Sequence, residues 1–491
     1  MRFVVEPQMK LGADIDEIEF DLRSRDEIPK LLIGLHHIYT TPEIREKVFE
    51  ILKDIVPVGV DPANGRPGME LWKILVLGTL RLNCNWDYDK LQEIANHHDT
   101  VRQMLGHGVE DDAEKYALQT LKDNVSLFTP EVLDKINKVV VKEGHKVVGQ
   151  KEGEDLEARC DSFVFETDVH YPTDINLLFD AIRVTIELIA MICVRFKIAG
   201  WRQNKYLIRK IKRLFRKAQN MKRSNSKYEA KKEEREKLIK RAHKEYIEFV
   251  QLILERVHEY IKLLYGKGLE SDKKLMKIEN FINHAERQID QIKRRVLNGE
   301  TIPHNEKVFS IFEEHTEWIC KGKAGISQEL GLRVCILEDK YGFILHHLVM
   351  EKQTDDKVPV LIIEEAQKDF PDLNSCSFDK GFWSPMNKKR LEELLDNLIL
   401  PKKGKLSLTE KEIETSEDFV TRKQKHSAVE SAINALENHS LDRCPDHGID
   451  GFKRYVALAV LARNIQILGH KIQQKKLQHQ IRESERYRLA S

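Results

Sequence analysis

Three acids, far apart along the chain, sit where a carboxylate needs a reason. Asp161 lies in Arg159-Cys-Asp-Ser-Phe-Val-Phe-Glu-Thr167, a Phe- and Val-rich stretch that reads as a β-strand. A carboxylate in such a strand is costly to desolvate without a partner, and a metal ion is one such partner. Asp379 closes a second short strand, Asn374-Ser-Cys-Ser-Phe-Asp379. Glu430 stands at the edge of a helical apolar stripe formed by Val429, Ala432, Ile433 and Leu436. Oxygen-only ligands suit Mg²⁺. Two such ions about 4 Å apart can stabilise the entering and leaving oxygens of a phosphoryl transfer. Each acid has a rival. Asp168 is an odd number of residues beyond Asp161, so a regular strand turns the two to opposite faces, with Glu166 on the side of Asp168. Glu437 shares the face of Glu430 but lies about 10 Å along the helix, so one of the two reaches a given ion pair. A helical Glu is also commonly a plain surface residue.

The elements that must position these acids follow from periodicity and turn chemistry. The first strand stops at Tyr171-Pro172, since proline cannot extend a central ladder, and Thr173-Asp174 caps a helix. Residues 174–298 contain no proline and read as helical throughout. Within them, 202–223 carries ten Lys or Arg and no acid, interleaved with Leu207, Ile208, Ile211, Leu214 and Phe215 at helical spacing. Such a face is either simply solvated or tracks phosphate. Strands are expected at 307–312, 332–337 and 342–350, the last two joined by the turn Glu338–Gly342. A helix at 359–370, the strand ending at Asp379, a helix from Pro385 to about Leu395 and a strand at 398–401 follow. Next come a basic loop, Lys402-Lys-Gly-Lys405, a helix at 427–436 and an apolar helix at 451–468. Taking out the helical segment leaves a mixed sheet with helices on its faces, an α/β core with a large insertion. Before the first strand, helical patterns at 26–38, 42–55, 71–80, 87–95 and 99–105 surround the loop Asp61–Gly68. They form either a DNA-reading helix-turn-helix unit or a packing and dimerisation domain. The polar stretch 107–155 reads as a linker apart from a helix near 130–141.

Composition narrows the classes. With 81 Lys plus Arg against 80 Asp plus Glu, the chain carries no global basic charge, so any nucleic-acid surface must be local. Seven dispersed cysteines fit a reducing compartment, and no paired Cys/His spacing marks a zinc site. The start, Met1-Arg-Phe-Val-Val-Glu-Pro7, has no leader-like apolar core. The most apolar helix, 175–199, is broken by Asp180, Arg183, Glu187 and Arg195, which argues against a membrane span.

Several blocks together resemble the DDE transposases of bacterial insertion sequences. Asp161-Ser-Phe-Val-Phe-Glu-Thr-Asp-Val-His-Tyr-Pro-Thr-Asp174, with Leu177, Leu178 and Asp180, is similar to the family's first catalytic block. Lys321-Gly-Lys323 and Asp379-Lys-Gly-Phe-Trp-Ser384 continue the match. His426-Ser-Ala-Val-Glu430, Leu436-Glu-Asn-His-Ser440 and Arg454–Asn464 resemble the third block and the helix behind it. Gly65-Arg-Pro-Gly68 and the helices to Leu105 look like the family's N-terminal DNA-binding region. The resemblance implies a ribonuclease-H-like mixed sheet over 151–174 and 299–470, a helical insertion at 175–298, an N-terminal helical domain over 1–150 and a C-terminal tail at 471–491. It implies that Asp161, Asp379 and Glu430 hold two Mg²⁺ ions, with Mn²⁺ an acceptable substitute, and that Asp168 stands where the family commonly has Asn. The activity implied is cleavage at transposon ends and attack of the freed 3′-OH on target DNA. The partners implied are terminal inverted repeats, target duplex and at least a second copy of the chain, in a prokaryotic cytoplasm. Candidate DNA contacts are Arg202, Lys205, Arg209, Lys212, Arg213, Arg216, Lys321, Lys323, Lys402, Lys403 and Lys405. The chain departs from the family at Ser162 and Phe163, where Thr is usual, and at Lys423, His426 and Glu437, where Tyr, Arg and Lys are common. A nuclease that cuts without joining, and an inactive DNA-binding derivative, stay open as alternatives.

Overall fold

The computed structural model describes residues 15–56, 68–108, 115–265, 269–320 and 328–490. The chain divides into two compact units, with boundaries after Asp168 and before Ile319. The inner unit, 169–318, coincides closely with the expected insertion.

The outer unit begins with helices α1 (Glu27–Thr40), α2 (Pro42–Leu52), α3 (Leu71–Asn83), α4 (Tyr88–His97), α5 (Asp99–Met104), α6 (Leu118–Val125) and α7 (Pro130–Val148). Their starts are chemically marked. Asp26, Asp87 and Thr129 accept backbone N–H bonds as N-caps, and Pro130 takes the first turn of α7. Helix α7 ends at Gly149 in the left-handed region, φ 84°. It runs through Lys142–His145, a stretch expected as linker. Gly144 is tolerated inside it because the Phe343 ring fills the space a Cβ would need. Strand β1 (Leu156–Thr167) follows.

The inner unit is helical: α8 (Asp174–Arg195), α9 (Asn204–Gln219), α10 (Glu229–Leu264) and α11 (Leu269–Ile292). Thr173 caps α8 by accepting from the Asn176 N–H, as its sequence predicts. Ile182, Ile186, Ile189, Ile211, Tyr246, Val250 and Ile278 close a core of its own. Near the two ends of this unit, Tyr171 and Trp318 meet edge to face, ring centroids 5.5 Å apart. The strand expected at 307–312 is absent. Ser310 Oγ instead accepts from the N–H groups of Phe312 and Glu313, a local turn that competes with ladder pairing.

The outer unit resumes with β2 (Glu317–Cys320), β3 (Gln328–Asp339), β4 (Ile344–Met350), α12 (Pro359–Asp369), β5 (Leu373–Phe378), α13 (Pro385–Leu394) and β6 (Asn397–Ile399). Helices α14 (Leu408–Thr415), α15 (Glu417–His426) and α16 (Ala428–Leu436), strand β7 (Arg443–Cys444) and helix α17 (Gly448–Ala490) complete it. The fold is mixed α/β, mostly helical, around a seven-stranded mixed sheet with the path β2-β3-β1-β5-β6. β3 pairs antiparallel with β1 and β4, whereas β5 pairs parallel with β1 and β6.

Two devices bind the N-terminal helices to this sheet. Asp339, fully buried at the β3–β4 turn, accepts from the N–H groups of Tyr341 and Phe343 and lies 2.6 Å from His145 Nε2 of α7. At the irregularity beside it, Asn464 of α17 accepts from the Ile344 N–H at 2.9 Å. Its amide donates to the Ile344 carbonyl at 2.8 Å and to Asn137 Oδ1 at 2.7 Å. Helix α17 also lies against α1 so closely that a Cβ at Gly34 or Gly469 would collide with backbone carbonyls of Ile465 or Lys30. The segment 1–150, expected as a domain of its own, therefore packs within the same unit as the sheet, and the C-terminal tail continues α17 to Ala490.

Asn464→Leu keeps side-chain size but strands the buried Ile344 N–H and Asn137 Oδ1, while Asn137 Nδ2 still donates to the Ile344 carbonyl at 3.2 Å. The variant should lose about 2–4 kcal/mol of stability. Its urea midpoint should fall, and the Ile344 amide should lose protection against hydrogen exchange.

Candidate active site

Asp161 and Asp379 come together through strand register. β1 and β5 pair Arg159 with Ser377 and Cys160 with Phe378, and one step further the register reaches the two acids. Glu430 arrives on the first turn of α16, whose Val429, Ala432 and Leu436 are buried while Glu430 stays exposed. All three line one cleft of about 660 Å³, together with Ser162, Asp355, His426 and Glu437. His426 ends α15, and its Nδ1 lies 2.9 Å from the Ser377 hydroxyl, which fixes the ring beside the cleft.

The electrostatics are those of a site short of positive charge. Burial pushes the Asp161 carboxyl up to about 6, and the negative charges of Asp379, Asp355 and Glu430 push in the same direction. One hydrogen bond opposes the rise, from the Ser162 N–H to Asp161 Oδ1 at 2.7 Å. Burial also lowers the pKa of His426 and favours its neutral form. Among the described residues, no Lys or Arg pairs with Asp161, Asp355, Asp379 or Glu430. No group of three Asp, Glu, His or Cys among them forms a ready metal cage. Mg²⁺ does not require one, since one or two carboxylates, water and substrate phosphate complete its shell. The cleft offers carboxylate oxygens in excess of its one described basic side chain, Arg333, a donor set of the kind such a cation takes.

The rivals and the basic candidates separate. Asp168 is exposed and, with Glu166, faces Arg443 at 3.7 and 3.6 Å, outside the cleft lining. Glu437 lines the same cleft as Glu430, but the charge acting on Asp161 is that of Glu430. On α9, Lys205, Arg209, Lys212, Arg213 and Arg216 form one exposed stripe opposite Ile211 and Ala218, with no acidic partner among the described residues. Arg202, just before the helix, is exposed as well. Lys217 is paired with Glu245 at 2.6 Å, and Lys210 sits over Phe249. Lys402 is taken up by Glu410, at 2.7 and 2.8 Å, which leaves Lys403 and Lys405 exposed in that loop. Lys321, Lys323 and the Gly65–Pro67 turn lie outside the described residues. One cleft acid was missed in the sequence: Asp355, in the 3₁₀ turn Asp355–Lys357 between β4 and α12. Its signal was slight, an Asp-Asp pair just ahead of the Pro359 helix start.

Comparison with protein-family models, curated proteins and solved structures gave no match.

The Asp161 shift has a sign that can be measured. The folded state holds this proton more tightly than the unfolded chain, whose carboxyl titrates near 4. Stability therefore falls as pH rises from there to about 6, and the cost is full above that. In metal-free buffer Asp161→Asn should be more stable than the parent chain by on the order of 2 kcal/mol near neutral pH, with the difference gone near pH 4. Urea midpoints at the two pH values check this. A difference independent of pH would assign it to packing instead.

Proposed function

We propose that this chain is a metal-dependent DNA phosphoryl transferase of the DDE transposase type. The observation that carries the reading is the cleft itself: two acids at neighbouring positions of parallel strands, joined by Glu430 from a helix, with Arg333 the one described basic side chain in the lining and ion-paired with none of them. The strand path supports a ribonuclease-H-like core, since β1 has antiparallel β3 on one side, with β4 antiparallel to β3 in turn, and parallel β5 and β6 on the other. In this reading Asp161, Asp379 and Glu430 hold Mg²⁺ or Mn²⁺. The bound cations supply charge neutralisation at the scissile phosphate. The protein's own contribution is orientation. The sheet fixes Asp161 and Asp379 through backbone pairing, and α16 fixes Glu430 through its buried stripe.

The DNA-facing role falls to the α9 stripe and to Lys403 and Lys405. Cleavage at transposon ends is followed by attack of the freed 3′-OH on target DNA. Pairing of two ends calls for at least a dimer of this chain on double-stranded DNA, in the cytoplasm of a prokaryotic cell.

Asp379→Ala and Glu430→Gln should each cut Mg²⁺-dependent cleavage and joining by at least about a hundredfold while end binding is retained. Wild-type strand transfer in either variant removes that acid from the site. Supplying pre-cut 3′-OH ends separates a transposase, which joins them, from a nuclease, which does not. Replacing Arg209, Lys212, Arg213 and Arg216 by Gln should reduce the slope of log affinity against log salt by roughly 3. An unchanged slope returns α9 to a merely solvated face.

A further inference from the structure

Asp355 is the cleft acid that the triad leaves out, and its surroundings are specific. Its Oδ1 accepts a hydrogen bond from Ser162 Oγ at 2.7 Å. The backbone N–H of the same Ser162 donates to Asp161 Oδ1, also at 2.7 Å. One residue thus holds two carboxylates at once, one through its hydroxyl and one through its amide. The other oxygen of Asp355, Oδ2, faces Gly381, where an added Cβ would come within 3.2 Å of it. Gly381 follows Asp379 by two residues, in the 3₁₀ turn Lys380–Phe382 that carries the chain away from β5. Asp355 therefore lies beside the segments that carry both strand acids. Its neighbour Asp356 does something else: it bonds Thr354 Oγ1 and pairs with Lys357 at 3.1 Å, and it is no part of the cleft lining.

We propose that Asp355 is a positioning residue for the divalent cation site, its carboxylate held by the Ser162 hydroxyl beside the Asp161 carboxylate that the Ser162 amide holds. The role rests on the metal-dependent reading given above. A carboxylate on a strand has rotational freedom about its terminal torsion, which a ligand pair must lose to share an ion. The Ser162 amide removes that freedom at Asp161 and its hydroxyl removes it at Asp355 before the ion arrives. Outer partners that orient a ligand in this way are typically worth 10- to 100-fold in metal affinity. The bridge also gives Ser162 a purpose, since an Ala there would keep the amide bond to Asp161 but lose the link to Asp355.

The test uses Mn²⁺ alone, titrated into the full chain and followed by its electron paramagnetic resonance signal, with Asp379→Ala marking the cleft-bound fraction. Asp355→Asn and Ser162→Ala should each weaken that fraction about tenfold or more. The double variant should be little worse than the stronger single one, because both act through one link. Asp356→Asn should bind as the parent does. Thermal midpoints identify a variant that has lost its fold, and Asp355→Glu, which keeps the charge but shifts the oxygen, should recover part of the affinity. Parent-like Mn²⁺ binding in Asp355→Asn, additive losses in the double variant, or no Asp379-dependent Mn²⁺ in the parent chain would each overturn the proposal. If Mn²⁺ binds as described but DNA is never cut, the enzymatic reading fails while the role of Asp355 stands.

Discussion

Like charge gathered in one cleft is the constraint around which the outer unit is built. Asp161, Asp355, Asp379 and Glu430 line it, and Arg333, the one described basic side chain in the lining, is ion-paired with none of them. Left alone, such a group of acids would splay apart or take up protons, and the raised pKa of Asp161 is the second outcome in progress. The sheet prevents the first. Backbone pairing of β5 against β1 holds two of the acids at adjacent positions whatever their charges prefer, and the buried stripe of α16 holds the third. Apolar packing and backbone bonds thus offset the mutual repulsion of the gathered acids.

The acids were legible for a reason the rest of the molecule makes plain. Asp161 and Asp379 belong to strands whose alternation and flanking turns are written in local residue types, and Glu430 sits beside an unambiguous helical stripe. Asp355 carries no periodic signal. It lies in a single 3₁₀ turn, next to an acid engaged by Thr354 and Lys357, and its cleft partner is Ser162, nearly two hundred residues away in the chain. Lys402 failed in the opposite way. Four residues of loop chemistry marked it as a phosphate contact, but Glu410 of the following helix folds back onto it.

The fold shows the same division. Some capped helix starts, such as Thr173 before α8, were readable to within a residue or two, whereas α14 and α15, capped by Ser407 and Ser416, were not read at all. The Val- and Phe-rich run at 307–312 was not a strand, because β-propensity expresses itself only where a partner strand exists. The attachment of α1 and α7 to the sheet was invisible beforehand. It depends on Gly34, Gly144 and Gly469, and on Asn137 and Asn464, each of which has many equally ordinary meanings in a helical sequence.

The edge-to-face meeting of Tyr171 with Trp318 has a kinetic consequence. β1 must find β3 across a great length of chain: Cys160 and Cys335, neighbours across that pairing, are 175 residues apart. Closing so long a loop directly is entropically expensive and slow. The inner helices make local contacts and have their own core, so they can form first. Once they do, the two ring-bearing ends are already side by side, and the sheet needs to close only a short remaining gap. That shortening lowers the loop-closure cost by about 1.6 kcal/mol on the usual logarithmic scaling. The helical unit in this way shortens the search by which β1 finds β3.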